Sequence, residues 1–460
     1  MSKLRPMDRF DDVVIGGGQS GPFLAQKLAA AGRRVGVVER RWLGGTCVND
    51  GCMPTKTMVA SARAAFVARN AARWGVVVDG PIRIDWGVVQ ARKNAIVNEA
   101  RTGLETWLGA TPNLELIHGS AAFADARTLD VEGRLIEAER IFLNTGARPV
   151  VPAIPGLAES GYLTSENVMD VPAIPRHLVI LGGGTISLEF GQMFRRFGSE
   201  VTIVERSPRV ASREDEAVSR ELQAVLAREG ITFVLGAQVT KVSRHGDEVT
   251  VTASGTEITG SHLLVALGRA PATGDLRLER AGIELDAHGY IRVDDELRTT
   301  APNVWALGDV NGRGAFTHTS YDDFQIVSAN LLGQGGRRVS QRIPIYAVYV
   351  DPPLARCGLS ANDARATGRR TLVGRRAMSR VGRARERDET DGFMEILVDE
   401  ETRQIVGATL LGIEADEVIH CIVDVMYARA PYDVLMKAVH AHPTVSELVP
   451  TVLEGLVALD

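Results

Sequence analysis

The sequence predicts an α/β protein: two Rossmann-like domains followed by a C-terminal α+β domain. Three observations predict it. A strand, glycine turn, helix and strand closing on an acid stand near the N-terminus; the same series returns in mid-chain; and the last part reads as strands followed by helices.

The first unit starts at Val13-Val14-Ile15, enters Gly16-Gly17-Gly18-Gln19-Ser20-Gly21, and continues through the alanine- and leucine-rich PFLAQKLAAAG to Gly32. A second apolar run, Val35 to Val38, closes on Glu39. This is the dinucleotide-binding fingerprint. Gly16 allows the tight turn, Gly18 lets backbone approach a pyrophosphate, and Gly21 lets helix pack on strand. The helix N-terminus supplies the anion site, and Glu39 accepts from an adenosine ribose. The second unit runs from His177 to Leu181 into Gly182-Gly183-Gly184-Thr185-Ile186-Ser187, through a helix to Phe197, then a strand ending at Glu205. Two units imply two different dinucleotides. Ser187 stands where a third glycine is expected, and a small residue still permits close packing. Glu205 favours a free ribose 2′-hydroxyl, hence NADH; Arg206, Arg209 and Arg213 pull toward NADPH, and the balance falls to NADH.

Turn-rich segments divide the rest. Gly146-Ala147-Arg148-Pro149 with Pro152, Pro155, Pro172 and Pro175 separates the first region from the second, and Gly268-Arg269-Ala270-Pro271 ends the second. Gly333-Gln334-Gly335-Gly336 precedes a tail whose strands are Ile345 to Val350, Phe393 to Val398 and Ile405 to Leu411. The expected divisions are 1–149, 150–272, 273–341 and 342–460. The alanine- and arginine-rich segment from Ala60 to Gly109 reads as a helical insertion in the first region.

Composition excludes several function classes. A chain of 460 residues, 45% hydrophobic and 24% charged, is too long for one small binding module. With 52 basic against 57 acidic side chains and a net charge of −5, it carries no footprint for nucleic acid or an anionic membrane. The N-terminal MSKLRPMDRFDD has no apolar signal region, no stretch is apolar enough to span a membrane, and the expected compartment is the cytoplasm. Four cysteines, Cys47, Cys52, Cys357 and Cys421, are too few for a secreted disulfide framework.

Cys47 and Cys52 need their own account. On a regular helix residues five apart are separated by a rise of about 7.5 Å, more than the roughly 4.4–6.8 Å a disulfide prefers between Cα atoms. Asn49-Asp50-Gly51 is turn chemistry and Pro54 suits a first helical turn, so the pair is expected where a loop enters a helix and can close a bridge. A helix N-terminus would favour the Cys52 thiolate. Zinc ligation is a poor alternative, because the spacing is wrong and no second ligand pair is nearby. Two inert buried cysteines remain the plain reading of spacing alone.

The run Gly44-Gly45-Thr46-Cys47-Val48-Asn49-Asp50-Gly51-Cys52-Met53-Pro54-Thr55-Lys56 resembles the redox-active motif of the class I FAD-dependent pyridine nucleotide-disulfide oxidoreductases, the family of dihydrolipoamide dehydrogenase, glutathione reductase and mercuric reductase. The resemblance covers essentially the whole chain. Ala306-Leu307-Gly308-Asp309 is similar to the second FAD motif, Thr145-Gly146 and Gly268-Arg269 to the links at the domain crossings, and Asp351 to Ala355 to the start of the interface domain. It implies FAD in the first and third divisions, NAD(P) in the second, and a dimerisation domain from 342. It further implies FAD contacts at Arg40, Gly45, Thr46, Lys56 and Asp309, with Cys47 as interchange thiol and Cys52 as the thiol facing the flavin. Lys56 and Glu189 match a pair that tunes the flavin. His440-Ala441-His442-Pro443-Thr444-Val445-Ser446-Glu447 is similar to the HPTxxE motif, which makes His442 an acid/base oriented by Glu447 and acting on the dithiol of the other subunit of a homodimer. His440 and His420 read as structural, and Cys357 and Cys421 as small core or interface hydrophobes.

Departures bear on substrate. The chain ends Gly455-Leu-Val-Ala-Leu-Asp460 without the cysteine pair of mercuric reductases, although GTCVN and Phe316-Thr317-His318-Thr319-Ser320-Tyr321-Asp322-Asp323 look most like the mercuric-reductase-like branch. Thr185 replaces the tyrosine that lids the nicotinamide pocket in glutathione reductase. The expected partner is a small-molecule or protein disulfide, or another thiol-reactive acceptor, with no resident metal. Two alternatives stay open: a flavin-only transhydrogenase, diaphorase or metal-ion reductase with dispensable cysteines, and a redox or metal sensor whose flavin does not turn over.

Overall fold

The computed structural model describes residues 7–333 and 335–460. Residues 1–6 of the N-terminal segment, and Gln334 of the boundary Gly333–Gly336, lie outside the described residues.

The first domain is built around β1 (Asp8–Ile15), whose residues Val13 and Val14 are fully buried because a parallel strand is covered on both faces. The glycine turn delivers the chain into α1 (Gly21–Ala30), which returns it to β2 (Val35–Glu39). β2 pairs parallel with β1. The chain then forms the short helix α2 (Gly45–Asn49) and the long helices α3 (Cys52–Arg69) and α4 (Trp86–Gly109) before β3 (Leu114–His118) extends the sheet. On the other side of β1 lies the strand Arg134–Leu143. Its far edge is shared: Thr128–Val131 pairs antiparallel with its first half, and Val304–Ala306 pairs parallel with its last residues. The segment from Val304 thus completes a sheet begun at Asp8.

The insertion expected to be helical from Ala60 to Gly109 is not continuous. A 3-10 turn, Ala71–Trp74, and an irregular stretch separate α3 from α4. The cause is local: Gly75 and Gly80 have φ of 73° and 82°, and Pro81 follows.

The second domain holds four parallel strands in the order Ile231–Leu235, Glu200–Glu205, His177–Leu181, His262–Val265. Helix α5 (Thr185–Phe197) follows its glycine turn, and a three-stranded antiparallel sheet, residues 239–260, lies beside it. Ser187, in the place of the third glycine, is fully buried inside α5. The two passages between these domains run side by side, Ala147–Pro149 pairing antiparallel with Arg269–Pro271.

The C-terminal domain is a six-stranded sheet, with Leu354–Gly358, Ile405–Leu411 and Phe393–Asp399 at its centre, and helices that include Ala415–Tyr427 and Val449–Glu454. The strand expected from Ile345 to Val350 ends at Val348. The expected Ile405–Leu411 strand has those bounds. Alternating apolar residues bury one face under the helices in a separate core that includes Met394, Ile396, Val398, Ile419 and Ile422. None of the described helices is long and apolar enough to cross a membrane.

Candidate active site

A cavity of about 480 Å³ opens where β1, α2, α3, α5 and the start of the helix Thr317–Leu331 meet. It is lined by Gly16, Gly18, Glu39, Arg40, Gly45, Thr46, Lys56, Thr145, Gly146, Arg269 and Asp309, and also by Cys47, Cys52 and Glu189. Most of the expected flavin contacts therefore share one space with the two cysteines, Lys56 and Glu189, while Gly21 and Gly308 do not line it. Gly16 has φ of 104°, and a Cβ there would lie 2.3 Å from the Asn144 carbonyl oxygen. A Cβ on Gly21 would lie 2.3 Å from the Gly16 carbonyl oxygen. The turn closes only because both side chains are absent.

The acid at the end of each βαβ unit is fixed in the same way. Glu39 Oε2 accepts from Gly17 N at 2.7 Å and Oε1 from Arg41 N at 2.7 Å. Glu205 Oε2 accepts from Gly183 N at 2.5 Å and Oε1 from Ser207 N at 2.7 Å. Gly182, Gly184, Glu205 and Gly268 do not line the cavity; they belong to the second unit, whose helix α5 presents Ile186, Glu189 and Phe190 to it.

Two polar groups fit this cavity to a ligand with hydroxyls. Among the described residues, Thr145 Oγ1 is buried without a hydrogen-bond partner, and an orphaned group of this kind costs about 1–3 kcal/mol unless something else satisfies it. Asp309 is enclosed, and burial pushes its carboxyl above the usual range while the Arg269 charge pulls it back. A polyhydroxylated chain would supply both with partners.

Cys47 lies in α2 and Cys52 is the first residue of α3, so the break at Gly51 brings together two sulfurs that a continuous helix would hold apart. Both are free thiols. They differ sharply. The hydrogen bond from Cys47 holds Cys52 down to about 6, with Thr317 and Lys56 adding to it against the opposing effect of burial. Cys47 keeps the shared proton and is raised by that bond and by burial. Thr317 Oγ1 is 3.3 Å from Cys52 Sγ. In the reduced protein, iodoacetamide labelling of Cys52 is expected to reach half its limiting rate near pH 6, and Thr317→Val is expected to move that midpoint upward, read by peptide mass spectrometry.

Lys56 Nζ donates to Glu189 Oε2 at 2.7 Å, joining α3 to α5. The Tyr349 backbone N–H donates to Glu189 Oε1 at 2.7 Å, and its ring lies 4.9 Å from Lys56 Nζ. His442 Nδ1 and Glu447 Oε2 are 2.8 Å apart. The His442 side chain is 79% exposed, and neither residue lines the cavity of its own chain. His440 is tied to the Ser446 carbonyl at 2.9 Å. Cys357 is fully buried, and burial pushes its thiol up to about 12.

Three residues at the site had no signal in the sequence reading. Asn144 accepts from Gly21 N at 3.0 Å and donates to the Leu307 carbonyl at 2.9 Å, tying the helix start to the returning segment. Thr317 and Tyr349 reach the site from distant parts of the chain. Thr317 lies within Phe316–Asp323, which resemblance marks without assigning it a role.

A two-dinucleotide α/β fold with a dithiol in the cavity between its units, followed by a separate β-rich C-terminal domain, defines a nucleotide-linked dithiol oxidoreductase. Comparison with known proteins agrees. Residues 10–323 match the family model described as pyridine nucleotide-disulphide oxidoreductase, and residues 344–453 match the dimerisation domain of that family. The chain is 38% identical to the "Probable pyridine nucleotide-disulfide oxidoreductase RclA" of Escherichia coli (strain K12), covering 96% of this chain and 98% of that protein. It is 33% identical to a mercuric reductase of Streptomyces lividans, over 95% of this chain and 94% of that protein. A solved structure, the Cu(II) complex of the HOCl-induced flavoprotein disulfide reductase RclA from Escherichia coli, superposes with a TM-score of 0.90 at 37% identity, covering 97% of this chain and 99% of that chain. The protein belongs to the pyridine nucleotide-disulphide oxidoreductases. It is an NAD(P)H- and FAD-dependent disulfide oxidoreductase with a dimerisation domain.

Proposed function

We propose that this enzyme reduces a disulfide or another thiol-reactive acceptor through Cys47 and Cys52, in a homodimer whose two active sites are shared between subunits. The observation that supports this most directly is the pair of unequal sulfurs in one cavity with the expected flavin contacts. When bound, the nicotinamide would supply a hydride and the flavin a two-electron relay to the Cys47–Cys52 disulfide, which is thereby reduced to the dithiol. Thr46, Thr145, Arg269 and Asp309 would hold the flavin nucleotide, and Gly182, Gly184 and Glu205 the nicotinamide nucleotide. Cys52 is the thiolate that Lys56 and Thr317 stabilise. Cys47 is the sulfur that exchanges with the acceptor, and His442 of one protomer, oriented by Glu447, holds and returns its proton in the other. The domain divisions at 149, 272 and 341 and a cytoplasmic location belong to the same reading. RclA is described as HOCl-induced, which favours an acceptor from the class of oxidised sulfur compounds.

Thiol counting tests the route. Anaerobic addition of NADH, acid quenching and alkylation are expected to reveal two new thiols, at Cys47 and Cys52. Turnover with no change at these residues would favour the flavin-only diaphorase reading. Absence of NADH oxidation with any artificial acceptor would favour a sensor.

For the donor we propose NADH. A carboxylate at Glu205 repels a 2′-phosphate and accepts from a free ribose hydroxyl. We expect kcat/KM to be higher with NADH, and Glu205→Ala to narrow the preference by about tenfold, or about 1.4 kcal/mol. A native preference for NADPH would reverse the assignment.

A further inference from the structure

The loop between the two cysteines is held by one side chain whose hydrogen-bonding capacity is fully used. Asn49 Nδ2 donates to the carbonyls of Leu43 and Gly45, each at 2.9 Å. Asn49 Oδ1 accepts from Arg101 Nε at 3.0 Å and from Arg101 Nη2 at 2.8 Å. Arg101 comes from α4, which supplies none of the reacting groups. Its guanidinium lies 4.3 Å from the centre of the Trp42 ring, and that of Arg41 lies 4.7 Å from it. Arg41 also reaches Asp50 Oδ2 at 3.4 Å. Backbone on both sides of Cys47 is therefore fastened to a helix outside the redox motif.

We propose that Asn49 and Arg101 are positioning residues that keep Cys47 and Cys52 adjacent in the reduced protein and so make their disulfide harder to reduce. The proposal rests on Cys47 and Cys52 being a redox pair. Closing a disulfide costs the loop its conformational freedom. A loop already held by four hydrogen bonds has lost that freedom before the bond forms, which raises the effective concentration of one thiol at the other. Asn49→Ala removes all four bonds. The reduced loop then gains conformers in which the sulfurs are apart, and the equilibrium moves toward the dithiol.

Equilibration of the anaerobic holoenzyme with mixtures of reduced and oxidised dithiothreitol tests this. The Cys47–Cys52 bond breaks and the ring disulfide of the reagent forms, two electrons and two protons passing from the reagent thiols to the enzyme sulfurs. Acid quenching, alkylation and peptide mass spectrometry read the two residues without turnover. For Asn49→Ala we expect the equilibrium constant for the enzyme disulfide to fall about tenfold, a potential about 30 mV less negative. Arg101→Met keeps the two donations to backbone and is expected to fall about threefold. It carries the test should Asn49→Ala fail to fold by circular dichroism. Constants within twofold of wild type, or a shift toward the disulfide, overturn the proposal. A wild-type protein that forms no disulfide at any ratio overturns the redox-pair reading instead, and the clamp with it.

Discussion

Cys47→Ser is expected to lower NADH-dependent reduction of a disulfide by at least about 1,000-fold, equivalent to about 4 kcal/mol of transition-state stabilisation. A serine hydroxyl is not ionised near neutral pH and cannot form the mixed disulfide through which exchange proceeds. Cys52→Ser should be equally severe for the disulfide acceptor, because no second sulfur then remains to release the product. The two variants should differ before turnover: Cys47→Ser keeps a hydroxyl that can donate to the Cys52 thiolate beside Lys56 and Thr317, whereas Cys52→Ser leaves Cys47 without the thiolate that accepts its proton. Disulfide turnover that survives in Cys47→Ser would show that the acceptor takes its electrons from the flavin directly.

His442→Gln is expected to cost between about 100- and 10,000-fold in disulfide reduction, the usual worth of a positioned acid or base. Glu447→Gln, which keeps an acceptor for the imidazole but removes its charge, should fall between this variant and wild type. Location is tested by mixing. His442 does not line the cavity of its own chain, so a hybrid dimer of one Cys47→Ser protomer and one His442→Gln protomer should contain one intact site, combining Cys47 of the second with His442 of the first. Reassembling the two inactive homodimers into hybrids is therefore expected to restore activity, up to half of the wild-type value per hybrid dimer. Recovery of none would mean that His442 acts within its own chain.

What could be read from sequence was what local chemistry dictates. The glycine turn, the apolar strands that flank it and the acid at its end impose one geometry within some twenty-odd residues, and both copies formed it down to the paired backbone hydrogen bonds of Glu39 and Glu205. The bend that lets Cys47 and Cys52 meet was legible in Asn49-Asp50-Gly51, whereas their redox role was legible only through the family resemblance of the run Gly44 to Lys56, because spacing alone left two inert cysteines open. Residues that serve the site across long chain separations were not legible. Thr317 meets Cys52 at a separation of 265 residues, and Tyr349 meets Glu189 through its backbone N–H, which any residue but proline could supply. Asn49 reads as turn chemistry, but the turn starts at Asp50 and Asn49 is the last residue of α2; its use of Arg101 as a second anchor depends on where α4 folds back. Alanine and arginine content from Ala60 to Gly109 favours one helix, and the break between α3 and α4 comes instead from Gly75, Gly80 and Pro81, whose local effect composition does not register.

The side-by-side passage of Ala147–Pro149 and Arg269–Pro271 has a consequence for how the chain folds. The first domain cannot finish its sheet until Val304–Ala306 reaches Arg134–Leu143, a junction marked by the hydrogen bond from Asn144 to Leu307 across 163 residues. Joining two such distant points in an unfolded chain is entropically slow, and the cost grows with the logarithm of the intervening length. Once the inserted domain has folded, its two ends emerge as neighbouring strands, and that long loop is contracted to a short one. Refolding is therefore expected to be ordered, with amides of the strands His177–Leu181 and Glu200–Glu205 protected from exchange before those of Val304–Ala306.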